Sequence, residues 1–383
     1  MRILYVIDAL AVWGGLERVL CDKMNYLVAN FDYEVYVVTT DQGKHPIPFP
    51  LDERVRYYDF NINFYRQYKY YGLKRLFKYR ELNRIFMHRL KDSINTIKPD
   101  VIVSTRLSFL SQIIKKKGSI PLLYESHSMC YGYKFEKNYF AHRLKMLLAL
   151  RKIRHVDTVV ALTEGDAKDW HNYSDNVVVI PNVIQSNETS RLCKHDSKIV
   201  IFVGRFVEQK GLWILIDIWK RVHSRYPDWE LHAYGEGNLM DAFKLAASKT
   251  NANIKVFQPT TDIFNKYLDS SMLIMTSKYE PFGLVLPEAM SCGLPVIAFN
   301  CPYGPASIIK DGEDGFLIEC YNKDMFASRI CQLIDNPSLR QLMGKAALTS
   351  AYQFQATHIM PRWRQLYDSV AKKNTYIEKY DVQ

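Results

Sequence analysis

Two successive series of short apolar segments limit the folds that this 383-residue chain can adopt. Each segment is rich in Val, Ile, Leu and aromatic residues, and is followed by a stretch with helical spacing or by a loop. This alternation is typical of parallel β-sheets whose faces are covered by helices. The first series runs from residue 3 to residue 180 and the second from residue 199 to residue 318. We therefore expect two α/β domains.

The segments that we expect to form strands are apolar runs of the kind that is buried on both faces of a sheet. In the first series they are Ile3–Ile7, Tyr33–Thr39, Val101–Ser104, Pro121–Tyr124, Thr158–Leu162 and Val177–Ile180. In the second series they are Ile199–Val203, Glu230–Tyr234, Ile254–Phe257, Met272–Met275, Val296–Phe299 and Phe316–Ile318. Late helices are expected at roughly residues 324–334 and from residue 361 to about residue 372.

A polar stretch between the two series sets the expected domain boundaries. Residues 181–197 begin with a Pro-Asn break and contain few apolar side chains, which favours a linker. We expect Rossmann-like domains over residues 1–180 and 198–360, and a C-terminal helix over residues 361–383 that crosses back to the first domain. Two doubly wound domains facing a central cleft bind ligands at the carboxyl ends of their strands.

Composition and cysteine usage exclude several classes of protein. A hydrophobic share of 48% with 24% charged residues is typical of a folded chain and not of a disordered or collagen-like one. The seven cysteines include no C-x-x-C pair, so we expect unpaired thiols in the reducing cytoplasm. No window contains the ~18 consecutive apolar residues of a membrane span, so any membrane association would be peripheral.

The net charge of +11 is concentrated in one part of the chain. Residues 54–154 contain 23 Lys or Arg against six Asp or Glu. Within this window, residues 63–91 and 135–154 mix Tyr, Phe and Leu with cations at helical spacing, the pattern of a helix that lies on an anionic bilayer. The alternative is a solvated face over an ordinary core. We find no RNA-binding or zinc-finger signature, so no nucleic-acid partner is expected.

The most specific chemical pattern is SKYEPFGLVLPEAMSCGLPVIAF, residues 277–299. A helix is expected to begin near Gly283 or Leu284, because Pro287 is tolerated only in a first turn. The N–H groups of Phe282, Gly283 and Leu284 would then be available to an anion such as a phosphate.

Two carboxylates flank this helix start. Glu280 precedes it and Glu288 lies in its early turns, so they could reach the hydroxyls of a sugar and the diol of a ribose at two ends of one ligand. The alternative is a surface glutamate plus a first-turn glutamate that stabilises the helix dipole.

These residues together resemble the donor-site motif of glycosyltransferase family 4, a retaining family with the GT-B fold. The segment GRFVEQKGL, residues 204–212, resembles the Gly-Arg loop and Lys-Gly helix start of that family, with Arg205 and Lys210 as the cations. Gly14, Gly15 and Glu17 resemble its Gly-Gly-x-Glu loop, whose backbone approaches the donor phosphates. The YGEG of residues 234–237 and the segment of residues 301–319 match further elements.

The resemblance covers nearly the whole chain and is strongest from about residue 199 to residue 319. Arg205 and Lys210 would stabilise the charge on a leaving diphosphate. The chain departs from the family pattern at Ser307, where members that transfer hexoses or N-acetylhexosamines from UDP donors commonly carry an acidic residue. It departs again at Pro259, where a glycine is more usual near the nucleobase.

The acceptor side offers two candidate residues. His127 follows a strand end in the sequence Glu-Ser-His, and family members often place a histidine there against the transferred sugar or the acceptor. Many relatives have Glu and His directly adjacent, whereas Ser126 separates them here. Arg106 follows the strand Val101–Ser104 and could meet an acceptor phosphate, with a surface role as the alternative.

We therefore predict metal-independent, retaining transfer of a hexose or N-acetylhexosamine from a nucleotide sugar, UDP-linked by the resemblance. The acceptor would be a glycan or a lipid-diphosphate-linked glycan in capsule, O-antigen or exopolysaccharide assembly. No two aspartates are two positions apart, so the sequence lacks the D-x-D metal motif of the other main transferase fold, and no cofactor is expected.

Glu280, Arg205, Lys210 and His127 would be the catalytic residues, in a cytoplasmic enzyme on the inner face of the plasma membrane. The alternatives are a UDP-sugar epimerase or hydrolase on the same fold, and a non-catalytic nucleotide-sugar-binding protein.

Overall fold

A computed structural model describes residues 1–130, 147–185 and 191–380, with side chains as far as residue 372. The chain divides into two compact units. One comprises Met1–Val183 together with the chain from Ile359 onward, and the other is Ile184–His358. Each unit contains a parallel sheet with its own hydrophobic core.

The described part of the first unit contains a seven-stranded parallel sheet. Its strands are β1 (Arg2–Ile7), β2 (Glu34–Thr39), β3 (Arg56–Asp59), β4 (Val101–Ser104), β5 (Leu122–Glu125), β6 (Thr158–Ala161) and β7 (Val177–Val179). They are arranged in the order β3-β2-β1-β4-β5-β6-β7. The helices are α1 (Gly15–Asn30), α2 (Gly72–Ile97), α3 (Leu107–Ile114) and α4 (Glu164–Trp170).

Helix α2 packs on this sheet along only part of its length. Its buried side chains recur every three or four residues, which places them on one face of the helix: Leu82, Phe86, Leu90, Ile94 and Ile97. Residues 71–77, which include its first turns, are all exposed. A 3-10 segment, Phe64–Lys69, precedes the helix and has no buried residue.

The second unit repeats the architecture with a six-stranded parallel sheet in the order β10-β9-β8-β11-β12-β13. These strands are β8 (Ile199–Val203), β9 (Glu230–Tyr234), β10 (Ile254–Phe257), β11 (Met272–Met275), β12 (Val296–Phe299) and β13 (Gly315–Ile318). The helices are α5 (Leu212–His223), α6 (Met240–Ser248), α7 (Ile263–Leu268), α8 (Val285–Ser291), α9 (Pro305–Ile308), α10 (Lys323–Asp335) and α11 (Pro337–Ala351).

The last helix, α12 (Ala356–Tyr380), carries the chain into the first unit, where its aromatic face packs. The rings of Trp363 and Tyr367 stack with their centroids 5.6 Å apart. The hydroxyl of Tyr367 forms a buried hydrogen bond of 2.7 Å with that of Tyr5 on β1. This pair anchors the end of the chain to the centre of the first sheet.

The predicted α/β fold with two parallel sheets is confirmed, and the strands differ from the prediction in a few places. β3 was not predicted, because its Arg-Tyr-Tyr-Asp sequence is that of a partly exposed edge strand. The last helix begins at Ala356, five residues before Pro361, so this proline lies inside the helix and not in its first turn. Helix α11 was also not predicted. Of the two basic aromatic segments, residues 135–146 lie outside the described residues.

Two further sequence expectations concern cysteines and membrane spans. All seven cysteines are free thiols, and all but Cys320 are buried. Among the described residues, no helix is both long enough and apolar enough to cross a membrane.

Candidate active site

Two glycine-rich loops pack backbone against backbone at the carboxyl ends of β8 and β9. The N–H of Gly204 donates to the carbonyl of Tyr234 at 3.0 Å, and that of Phe206 donates to Glu236 at 2.6 Å. A Cβ atom on Gly235 would lie 1.9 Å from the Gly204 carbonyl oxygen, so no side chain fits there. These contacts fix the backbone on both sides of Arg205.

The Arg205 side chain is exposed, whereas the next residue, Phe206, is fully buried. No carboxylate of the described residues forms an ion pair with Arg205. Its guanidinium therefore remains available to an external anion.

Lys210 is held by a second close contact. It ends a 3-10 turn, Glu208–Lys210, and Gly211 follows with a φ of +64°. A Cβ on Gly211 would lie 2.1 Å from the carbonyl oxygen of Thr276, the residue after β11. The Thr276 hydroxyl donates to the Lys210 carbonyl at 2.9 Å. Only glycine fits at residue 211, and this close backbone contact holds Lys210 against the loop that follows β11.

Glu280 lies in that loop and forms an ion pair with Lys210. The Lys210 ammonium and the Ser277 hydroxyl both donate to Glu280 Oε2, the latter at 3.1 Å. The two charged side chains are only 12% and 11% exposed. Glu280 Oε1 has no protein partner within the described ranges, so it can accept from a ligand hydroxyl.

The backbone of Glu280 is fixed as firmly as its side chain. Its N–H donates to Pro302 at 2.7 Å, and its carbonyl accepts from Tyr303 at 2.8 Å and from Gly304 at 2.9 Å. A Cβ on Gly304 would lie 1.9 Å from the Phe282 carbonyl oxygen. The loops after β11 and β12 therefore pack as closely as those after β8 and β9.

Helix α8 begins at Val285, just after Leu284, and Gly283 has a φ of +92°. Within the part of the chain that the structure describes, the N–H groups of Phe282, Gly283 and Leu284 donate to no protein acceptor. These are the three groups that the sequence indicates as an anion site. Glycine at residue 283 also leaves room beside the Glu280 side chain, since a Cβ there would lie 3.1 Å from Glu280 Cγ.

Glu288 has a different environment from Glu280. It lies on α8, is 2% exposed, and accepts a hydrogen bond of 3.4 Å from the buried hydroxyl of Tyr267 on α7. The structure thus joins Glu280 to Lys210 and joins Glu288 to Tyr267. The tyrosine partner was not foreseen from the sequence.

The Gly-Gly loop of the first unit leads directly into a helix. Gly14 is extended, with a φ of −132°, and α1 begins at Gly15. A Cβ on Gly14 would lie 2.5 Å from Glu17 Oε2, so the first-turn carboxylate folds back over the loop. Gly14 provides the space for that arrangement.

Arg106 is positioned by a carboxylate of its own unit. It occupies the N-cap position of α3 without a side-chain capping hydrogen bond, and its guanidinium forms an ion pair with Asp8, which follows β1. The side chains are half exposed and about one third exposed, respectively. Arg106 therefore meets a protein anion at the carboxyl edge of the sheet, where an acceptor phosphate was predicted.

His127 contacts the buried carboxylate of Glu125, which in turn pairs with the buried Lys23; the sequence did not single out either residue for a role. Its Nε2 lies 3.1 Å from Glu125 Oε2, and the same oxygen accepts from the Lys23 ammonium at 2.5 Å. Lys23 and Glu125 are each 2% exposed. Burial alone would raise the pKa of Glu125, but the Lys23 ammonium and the hydrogen bond from His127 hold it below its usual range. The Glu-x-His spacing was the available signal.

Two family models match consecutive parts of the chain. The model described as Glycosyltransferase Family 4 matches residues 13–188, and the model described as Glycosyl transferases group 1 matches residues 184–349. The chain is a family 4 glycosyltransferase. The resemblance inferred from its motifs is thereby confirmed, and so are the GT-B fold and the enzyme class.

Relatives of this glycosyltransferase include named bacterial enzymes. The amylovoran biosynthesis glycosyltransferase AmsD of Erwinia amylovora is 28% identical over 383 residues, which cover 95% of this chain and 99% of the relative. The poly(ribitol-phosphate) alpha-N-acetylglucosaminyltransferase of Staphylococcus aureus is 31% identical over 219 residues, which cover 56% of this chain and 44% of the relative.

A solved structure of a Staphylococcus aureus TarM variant, in complex with fondaparinux, alpha-GlcNAc-glycerol and UDP, is similar to this glycosyltransferase over nearly its whole length. The TM-score is 0.77 at 17% identity, and the match covers 96% of this chain and 99% of that one. At this identity the likeness shows the fold.

Proposed function

We propose that this glycosyltransferase moves a hexose or N-acetylhexosamine from a UDP-sugar to a glycan or lipid-diphosphate-linked acceptor, with retention of the anomeric configuration. The observation that carries the proposal is the cluster formed by Lys210, Glu280 and Ser277, with Arg205, which forms no ion pair among the described residues, on the same loop as Lys210. The second unit would bind the donor at the carboxyl edge of its sheet, and the first unit would bind the acceptor at the corresponding edge of its own.

The donor diphosphate would bind where positive groups are available. Within the described ranges, Arg205 has no carboxylate partner, and the N–H groups at residues 282–284 donate to no protein acceptor. Lys210 is paired with Glu280, and a diphosphate would share its ammonium. As the bond from the anomeric carbon to phosphate breaks, its electron pair passes to the diphosphate, and these groups stabilise the added charge.

The acceptor oxygen would form its new bond on the same face of the sugar, and the departing phosphate oxygen would take the acceptor proton. Glu280 Oε1 would accept from hydroxyls of the transferred sugar, because Oε2 is already occupied by Lys210 and Ser277. Glu288 would contact the ribose diol, with Tyr267 fixing its carboxylate. His127 would contact the transferred sugar, and Arg106 an acceptor phosphate.

Relatives and structural neighbours support the donor and the stereochemistry. Two relatives are named as alpha-transferases, of N-acetylglucosamine and of glucose, and TarM and a second neighbour were solved with UDP. UDP-hexose donors are commonly alpha-linked, so an alpha product means retention. AmsD is named for amylovoran biosynthesis, which supports assembly of a surface polysaccharide.

The proposed reaction uses no metal. Arg205, Lys210 and the backbone N–H groups would neutralise the diphosphate, which is the task of the divalent cation in D-x-D enzymes. In the ranges that the structure describes, no group of three or more His, Cys, Asp or Glu side chains is arranged to hold a metal ion.

The proposed enzyme works at the cytoplasmic face of the plasma membrane. Residues 64–80, which we call the basic-aromatic segment, contain six Lys or Arg and no Asp or Glu. Its most exposed apolar side chains are Tyr71 at 87%, Leu73 at 71% and Phe77 at 63%. Exposed aromatic and leucine side chains among cations fit the headgroup region of an anionic bilayer, where a lipid-linked acceptor is found.

A donor screen followed by a transfer assay tests the proposal. The full chain is incubated with a panel of nucleotide sugars, and the cognate donor is expected to raise the melting temperature, with a stabilisation that grows with the logarithm of donor concentration once this exceeds Kd. That donor should then be consumed only when a glycan or lipid-linked acceptor is added. Isomerised or free sugar formed from donor alone would instead indicate the epimerase or hydrolase, and binding without turnover would indicate a non-catalytic protein.

A further inference from the structure

In the extended segment of residues 125–127, side chains on the two opposite faces make different contacts. Residues two apart in an extended chain point to the same face, and neighbours point to opposite faces. The N–H of Ser126 donates to Val160 at 2.9 Å, so the ladder with β6 continues beyond Glu125. On one face Ser126 Oγ accepts from the Trp170 indole at 3.1 Å. On the other face Glu125 and His127 meet. The serine between them is what brings the two side chains together.

The carboxylate of Glu125 determines which ring nitrogen of His127 carries hydrogen. An ionised carboxylate only accepts hydrogen bonds, so the nitrogen that faces it must donate. Glu125 Oε2 faces Nε2, which places the hydrogen there. No described residue bonds to Nδ1, and the His127 side chain is 10% exposed. In the neutral ring, Nδ1 is thus left with a lone pair at the edge of the sheet.

Lys23 keeps that carboxylate ionised in a buried place. Its ammonium lies 2.5 Å from Glu125 Oε2 and 3.9 Å from the ring centroid of Trp363. The cation is therefore held between the carboxylate and the π-face of an aromatic side chain on α12. Without the Lys23 ammonium, burial would favour the protonated, neutral form of Glu125. A protonated carboxyl would no longer require a hydrogen-bond donor from His127.

We propose that Lys23 and Glu125 are positioning residues that hold His127 in the Nε2–H tautomer, so that Nδ1 accepts a hydrogen bond from a hydroxyl of the bound sugar. The identity of the ligand rests on the proposed function. The arrangement of the Lys23, Glu125 and His127 side chains does not depend on the proposed function. An acceptor nitrogen at this position selects a hydroxyl over a group that can only accept.

The test uses the full chain with 15N-labelled histidine and correlates ring protons with ring nitrogens by NMR. The resonances of His127 are assigned from their absence in His127→Asn. We expect hydrogen on Nε2, with an Nε2–H signal that exchanges slowly with water. In the double variant Lys23→Met, Glu125→Leu, which leaves no unpaired buried charge, this signal should be lost, and kcat/KM should fall about 10-fold or more. Circular dichroism checks that this variant stays folded.

A second Glu-x-His pair provides a matched control. His232 Nε2 lies 2.7 Å from Glu230 Oε2 on β9, in the same spacing and geometry. Glu230→Gln should change the His232 resonances, leave those of His127 in place and leave the transfer rate unchanged.

The outcomes test the tautomer of His127 and its contact with sugar separately. Hydrogen on Nδ1 of His127 in the wild type, or an Nε2–H signal that persists in the folded double variant, would overturn the positioning. A wild-type transfer rate in His127→Asn would overturn the role of this side chain in sugar binding, whatever its tautomer. Absence of transfer with every donor and acceptor would count against the proposed function and leave the NMR result standing.

Discussion

The ammonium of Lys210 donates to the carboxylate of Glu280, although the two residues lie 70 positions apart in the chain. Each reaches the other from the carboxyl end of a strand, Lys210 after β8 and Glu280 after β11, and these two strands are neighbours in the sheet. Ser277 donates to the same carboxylate oxygen. The proposed donor site is therefore assembled by topology, with glycines at residues 211 and 304 allowing the loops to approach.

Breaking this pair should remove transfer while leaving the fold intact. Glu280→Gln keeps the side-chain shape but loses the charge that orients Lys210, and Lys210→Met removes a cation from the leaving group. Each is expected to lower kcat about 100-fold or more. Steady-state kinetics with the cognate donor measure the loss, and near-normal turnover in either variant would refute the assignment.

A second ion pair between the same two loops is the control. Lys278 and Glu208 lie 3.1 Å apart and are 35% and 63% exposed. Because this pair is solvated, Glu208→Gln and Lys278→Met should change stability by less than about 1 kcal/mol. Their kcat should stay within about 2-fold of the wild type.

Gly304 should tolerate no side chain, for steric reasons alone. Its φ of −59° is accessible to any residue, but a Cβ would lie 1.9 Å from the Phe282 carbonyl oxygen. Gly304→Ala must push apart the loops that hold Glu280, and we expect a loss of about 2 kcal/mol or more in unfolding free energy. Urea denaturation measures this loss.

Gly118→Ala isolates the cost of a positive φ. Residue 118 has a φ of +59°, and a Cβ there would have no neighbour within 4 Å. This substitution should lower the unfolding free energy by about 1 kcal/mol.

The sequence predicted the two parallel sheets, because strand periodicity and turn residues are local signals; the donor-binding roles of the loop residues stay a prediction. It did not predict β3, whose polar edge-strand sequence has no clear apolar run. It could not pair Lys210 with Glu280 or Glu288 with Tyr267, because those contacts depend on which strands become neighbours. Lys23 was missed for the same reason. A lysine on an amphipathic helix is normally solvated, and only packing against β5 and α12 buries this one.

Acid should affect stability through Asp166. Burial raises its pKa to about 6, from 3.8 for an unperturbed aspartate, although the Cys130 N–H and the Trp170 indole donate to it. Between these values the folded chain binds a proton that the unfolded chain does not. The stability from this group is therefore fully present below about pH 4 and is lost as the pH rises through about 6.

Comparison with Asp166→Asn removes the contribution of other titrating groups. The unfolding free energy of the wild type minus that of the variant should fall by up to about 3 kcal/mol between pH 4 and pH 7.5. Urea titrations across that range measure it. A difference that is constant, or that grows with pH, would contradict the assignment.

Membrane binding should require the apolar side chains of the basic-aromatic segment. Serine at residues 71, 73 and 77 removes Tyr71, Leu73 and Phe77, which contribute little to the core because they are exposed. The triple variant should bind anionic vesicles about 10-fold more weakly or worse. Binding of the wild type should also fall as salt rises.

Flotation compares binding to anionic vesicles of phosphatidylglycerol with binding to vesicles of phosphatidylcholine, for the wild type and the triple variant. Leu342→Ser, at a leucine of the second unit that is 67% exposed, should bind like the wild type. Equal binding of the wild type to both kinds of vesicle, or undiminished binding of the triple variant, would exclude this segment as the anionic-membrane surface.

The proposed reaction retains the anomeric configuration, and protein cations replace a metal at the diphosphate. Its most direct test is the 1H NMR spectrum of the product formed from an alpha-linked, gluco- or galacto-configured donor in excess EDTA. Product should form at the rate seen without chelator, and the new anomeric proton should show the small coupling of an alpha linkage. A beta-linked product, or loss of transfer that magnesium or manganese restores, would rule out this mechanism.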